Sequence, residues 1–261
     1  MKFSRAVTGR RRAALRWSAA FTLIELLVVL GIITILMALL TPIVNRTLGS
    51  AHALRCLSNL RQWGLAGKYY QGDNHEFVPW DGNDDVGANL AADTWWANAL
   101  PAYVGEKGFA QRRAAGQHAP LPPQTSIFLD AAARLPAGSP YTSGSLKFFF
   151  CYVMNSKLNS AAPAGQTIRH AQILRPAATI QMVEMRTTPA ELPPNDPFYG
   201  KALNRCKADW QRYAARHNNG GHLVFADGHA AFTAYSSVTQ PTSTKDYNQP
   251  GLIWNPLGPA Q

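Results

Sequence analysis

Phe21–Val44 reads FTLIELLVVLGIITILMALLTPIV, the only long apolar run in the 261-residue chain, and its single charge is Glu25. Leu26 to Leu40 is unbroken except for Gly31 and Thr34. At about 1.5 Å per residue the segment is roughly 36 Å long as a helix, enough to cross a bilayer core of about 30 Å. A soluble helix buried on all sides is disfavoured, because little later in the chain is apolar enough to enclose it.

Outward from this segment, the N-terminal flank is basic. Six of the 25 Lys and Arg residues (Lys2, Arg5, Arg10, Arg11, Arg12 and Arg16) precede Phe21 with no acid among them. Setting them aside reduces the net charge of +10 to about +4, so the basic balance does not identify a nucleic-acid binder and no specific nucleic-acid partner is expected. The flank is read as a topogenic signal: residues 1–20 stay in the cytoplasm, and the chain crosses an inner membrane once to place its C-terminal part in the periplasm. A cleaved secretory signal would use the small-x-small match Ala51-His52-Ala53, which lies well beyond Leu40, behind an apolar run too long for a typical signal core.

A carboxylate at membrane depth costs a few kcal/mol and needs a partner, yet no Lys, Arg or His lies between Trp17 and Arg46. Glu25 either stays wet near the headgroups, is protonated, or meets a cation made by processing. A cut between Ala20 and Phe21 would place a new α-amine, pKa about 7.7–8.0, one helical turn from Glu25.

These residues resemble the N-terminal segment of type IV pilins and of the pseudopilins of type II secretion systems. The resemblance implies that a prepilin peptidase cuts before Phe21 and methylates it. It also implies that Glu25 pairs with the N-terminal amine of a neighbouring subunit in a filament and that Pro42 kinks the helix. The family usually has Gly before the cut, where this chain has Ala20.

Beyond Pro42, Val44, Leu48, Ala51, Leu54, Leu57, Leu60 and Trp63 recur at steps of three and four, which continues the helix to about Tyr70, where Gly72 is read as its stop. The rest is punctuated by loops such as PWDGNDDVG and ELPPNDP. A short helix is expected in Thr94–Gly105, and strands in Leu146–Met154, Thr179–Met185, His222–Ala226 and His229–Tyr235. Asp227-Gly228 between the last two predicts a type I′ hairpin turn. The organisation is therefore a leader (1–20), a transmembrane and assembly helix (21–44), its continuation (45–71) and a periplasmic head (72–261). The fold class is α+β and pilin-like, a long N-terminal helix packed on a head with a small antiparallel sheet.

RCLSNLRQWGLAGKYYQGDNHEFVPWDG, CYVMNSKL and RHNNGGHLVFADGHA are similar to pilin-like heads that end in a His, nine residues and Asp-Gly, here His217, Asp227 and Gly228. The resemblance supplies no role for those three residues. The family's Cys-Pro pair is missing, with SIFLDAA in its place, so no disulfide is carried over; Cys56, Cys151 and Cys206 allow at most one bridge, and their pairing stays open.

His217, His222 and His229 near Asp227 invite a metal or catalytic reading. The turn accounts for Asp227 and no Gly-x-Ser-x-Gly motif is present, so neither a metal nor an enzyme is expected. Asp81, Asn83 and Asp85 alternate like a calcium loop, but Val86 and Ala92 occupy its glycine and glutamate positions, and calcium rests on analogy with some pseudopilin heads. Trp80, Trp95, Trp96 and Trp254 are read as core. The function expected is a structural filament subunit whose partners are the peptidase, other pilin-like subunits and the inner membrane. The rivals are a membrane-anchored periplasmic binding module that does not polymerise and an anchored hydrolase.

Overall fold

A computed structural model describes residues 22–117, 126–135, 148–160, 162, 166–203, 205–239 and 248–258. The chain divides into two compact units, Met1–Arg46 and Thr47–Gln261. Helix α1, Leu23–Asp73, contributes to both. The architecture is α+β.

In the first unit the helix starts where its sequence can satisfy its own free amides. Thr22 caps it: the Thr22 N–H and hydroxyl donate to Glu25 Oε2 at 2.8 and 2.7 Å, and the Glu25 N–H donates back to Thr22 Oγ1 at 3.2 Å. This reciprocal Thr-x-x-Glu box satisfies two otherwise orphaned donors. The helix runs through Pro42, and every described residue up to Ser50 is exposed. An 18-residue window reaches a mean hydropathy of 2.9, so the helix is long and apolar enough to cross a membrane.

In the second unit α1 buries Cys56, Asn59, Leu60, Trp63, Gly64, Ala66, Gly67, Tyr70 and Gln71, one face at steps of three and four. This face differs from the expected leucine stripe: Leu48 and Leu54 are exposed, and only Leu60 and Trp63 are fully buried from that set. Close approach is the cause. A Cβ on Gly64 would stand 2.3 Å from the Gly228 carbonyl oxygen, and one on Gly67 would stand 2.5 Å from the Gln181 amide nitrogen. Large side chains there would hold the sheet away. Gly64→Ala is therefore expected to destabilise by about 1–3 kcal/mol through overpacking. Gly49→Ala, with nothing within 4 Å of the added carbon, gains up to about 1 kcal/mol of helix propensity. Thermal melts of the two variants check the opposite signs.

The helix ends at Asp73 rather than at a glycine; the chain reverses through His75 and Glu76, whose φ values are 53° and 66°. Helix α2 (Trp96–Ala99) passes into a tighter turn through Pro101 that closes at Gly105, as the short-helix reading expects, and α3 spans Phe109–Ala114. Trp95 and Trp96 both pack edge-on with Phe150, Trp95 also with Phe109 and Trp96 also with Trp63. Trp95, Trp96 and Trp254 are fully buried, and Trp80 packs half-buried against them.

The sheet contains β1 (Tyr152–Asn155), β2 (Ile180–Glu184), β3 (Lys207–Ala208), β4 (Gly220–Phe225) and β5 (Ala230–Ala234) in the order β3-β1-β2-β4-β5. Four expected strands form, the first in its C-terminal part, with Phe148–Phe150 outside it; α4 (Tyr235–Val238) follows β5. The sheet is mixed rather than antiparallel, because β3 pairs parallel with β1. Two residues are too few to show alternation, so β3 leaves no sequence signal.

The turns also exchange places. Asn218 and Asn219 take φ values of 47° and 58°, and His217 and Gly220 exchange both backbone hydrogen bonds at 3.0 Å, the signature of a type I′ hairpin turn. At Asp227-Gly228 only Gly228 has positive φ, at 95°. Phe225 pairs with His229 around a three-residue loop in which the Gly228 N–H donates to the Phe225 carbonyl. This is the longer hairpin closed by a glycine bulge, in place of the expected two-residue type I′ turn.

Candidate functional site

Charge is concentrated where α1 meets the sheet. Glu184, last residue of β2, lies opposite Tyr152 of β1, and its carboxylate is fully buried. The Asn218-Asn219 turn sets His217 beside the start of β4, and His222 follows two residues after Gly220. His217 Nε2 lies 3.0 Å from Glu184 Oε1, and His222 Nδ1 lies 3.0 Å from Glu184 Oε2. The His222 backbone N–H also donates to Oε2 at 2.9 Å. Gly221 leaves room for this: a Cβ there would stand 3.3 Å from that same oxygen.

Arg216 binds three carboxylates at once, Asp130 at 2.5 Å, Glu184 at 3.1 Å and Glu191 at 2.6 Å, and donates to the Met185 carbonyl at 2.6 Å. Asp130 Oδ2 also meets His217 Nε2 at 3.0 Å. Helix α1 fixes the segment carrying Asp130: the Asn59 amide donates to the Leu129 carbonyl at 3.1 Å and the Trp63 indole to the Ile127 carbonyl at 3.0 Å. Cys56 of α1 completes the group, with one ligating atom from each of Cys56, Glu184, His217 and His222 within 4.8 Å of the others.

Burial alone would raise the Glu184 pKa. Hydrogen bonds from His217 and His222 and the Arg216 charge outweigh it and hold this carboxyl well below the usual range. Burial pulls His217 down, but its bonds to Asp130 and Glu184 lift it to about 9. Burial, reinforced by the Glu184 and Asp130 charges, pushes the Cys56 thiol well up, so it is neutral.

A depressed Glu184 stabilises the fold above the unfolded carboxylate pKa of about 4.3, and that contribution is lost as pH falls through its lowered folded value. A raised His217 contributes fully below about 6.5 and loses that contribution as pH rises toward about 9. The melting temperature in chelator-containing buffer is thus expected to fall between about pH 6.5 and 9. A melting temperature that rises across this interval contradicts the pairing.

The sequence-predicted residues separate into several places. Ala20 and Phe21 lie outside the described residues. Glu25 is in the Thr22 capping box, a local partner that a search for cations alone overlooks. Pro42 is within α1. His217 is in the buried cluster, whereas Asp227 and His229 form an exposed pair at 2.6 Å, with the His229 ring stacked on Phe225. The two ends of the His-x9-Asp-Gly motif therefore reach α1 at different points, His217 near Cys56 and Gly228 against Gly64.

All three cysteines are free and buried. In the calcium-like loop, Asp81 pairs with Lys207 at 3.2 Å and Asp84 with Arg205, while Asp85 accepts from the Gly87 N–H. Asn83 engages Asn89 through its backbone. The three aspartates are thus bound to protein cations and a backbone amide. Sequence reasoning missed Cys56, Asp130, Glu184 and Arg216; Glu184, the single charge in the TIQMVEM strand, was the available signal, since a buried charge demands partners.

Comparison with protein-family models, with curated proteins and with solved structures gives no match for the chain.

Proposed function

We propose that the chain is a pilin-like structural subunit, cut by a prepilin peptidase between Ala20 and Phe21 and assembled through α1 into a filament of the type II secretion or type IV pilus kind. Before assembly α1 anchors the subunit in the inner membrane with its head in the periplasm. One observation carries the reading: the first half of a 51-residue helix is apolar and exposed throughout, with its single acid held at the N-terminal turn. Such a surface needs lipid or other helices around it. A second feature supports it. On the part of α1 belonging to the head unit, Leu54, Leu65 and Tyr69 are exposed on the face opposite the buried one, about three turns and then one turn apart. A membrane anchor alone gives no use to that outer stripe, whereas neighbouring subunits do.

A Leu65→Cys variant tests this, because the native cysteines are buried. Cross-linking in the native cell is expected to give a ladder of multimers. Monomer alone, with the variant properly inserted, would favour the non-polymerising anchored module.

A further inference from the structure

We propose that Cys56, Glu184, His217 and His222 form a binding site for a divalent transition metal of the zinc class, which fastens α1 to the sheet. This departs from the sequence expectation of no bound metal, which weighed the exposed Asp227 and His229 together with the buried histidines.

The donors come from three separated parts of the fold: the helix, the end of β2, and the turn and strand of the following hairpin. Their ligating atoms already lie within 4.8 Å of one another. Around a tetrahedral ion with bonds of about 2.0–2.3 Å, ligand atoms stand roughly 3.3–3.7 Å apart. Glu184 is 3.0 Å from each histidine, so a small rearrangement closes the shell.

The donor set is one sulfur, two imidazoles and one carboxylate. It suits zinc and its neighbours and is wrong for calcium or magnesium, which take oxygen. A divalent ion entering with loss of the Cys56 thiol proton and the His217 imidazolium proton leaves the buried charge unchanged.

An independent feature points to the same place. Tyr152 is 1 % exposed, and its hydroxyl has Cys56 as its hydrogen-bonding neighbour, with no closer partner among the described residues. A metal-bound thiolate is a stronger acceptor for this hydroxyl than the neutral thiol. Asp130 lies against the same His217 nitrogen that faces Glu184, so a metal bound there takes the place of that contact, and Arg216 keeps the Asp130 carboxylate paired.

The test uses the full chain in detergent, stripped with chelator and reloaded. One equivalent of Zn²⁺ per chain is expected by elemental analysis, and Co²⁺ substitution is expected to give a thiolate-to-cobalt charge-transfer band. Cys56→Ala should remove the band and weaken Zn²⁺ binding at least about 100-fold while circular dichroism stays native. If the alanine variant misfolds, Cys56→Ser gives the same reading. A folded wild type that takes up no stoichiometric metal, or binding that Cys56→Ala leaves intact, overturns the proposal and leaves the cluster as an ion-pair network.

Discussion

Glu25→Ala is expected to insert into the membrane normally and to be almost absent from filaments. Two roles for Glu25 must be separated. As the last residue of the capping box its side chain stabilises the first turn of α1 by about 1 kcal/mol, a role that glutamine also fills. As the proposed partner of a neighbour's Phe21 amine it supplies a full charge inside the polymer. Removing one member of a buried pair costs about 3–5 kcal/mol, because the other charge is left alone. Glu25→Gln therefore discriminates. It keeps the box but not the charge, and it should fail to assemble nearly as completely as Glu25→Ala. Filament yield, measured by shearing and immunoblotting, reads the outcome. Rescue by glutamine would reduce Glu25 to a helix cap.

Arg216→Met is the second large effect. Its guanidinium is the strong cation shared by Asp130, Glu184 and Glu191, all nearly or fully buried. Methionine fills similar space but leaves Asp130 and Glu184 to the histidines and Glu191 to the Thr187 and Thr188 donors, without the cation they share. A loss of about 3–5 kcal/mol is expected, which for a unit of this size lowers the melting temperature by about 6–20 °C. Arg216→Lys keeps the charge but not the planar fork, and should fall between the two. A shift in Arg216→Met smaller than about 1 kcal/mol would mean that the cluster is more hydrated than its burial implies. Melts in chelator keep any bound metal from masking the result.

The apolar helix was legible because hydropathy is local: Leu26–Leu40 declares itself without help from any distant residue. Strands β4 and β5 were legible for a similar reason, as β-branched and aromatic runs bounded by turn residues. The packed face of α1 was not. Periodicity counts large apolar side chains, whereas close approach of helix and sheet selected Gly64, Ala66 and Gly67 there and left Leu54 and Leu65 outside. The turn types were misplaced because Asp-Gly has two solutions, of which the chain takes the bulged one, while two asparagines accept the left-handed conformation at the other end of β4.

The buried cluster was least legible. Its members run from Cys56 to His222, and each reads locally as something ordinary: a small hydrophobe, a loop acid, the end of a strand, a turn flank. Only the topology brings them together. The histidine of His-x9-Asp-Gly acquires meaning when its nine-residue spacer is seen to be a turn plus β4, which carries the two ends of the motif to separate points on α1.

Intact-mass and N-terminal peptide mass spectrometry of the protein taken from its native membrane tests the filament reading most directly. The proposed pathway predicts a chain that begins at Phe21 and carries one added methyl group. A chain that begins at Met1 would contradict it.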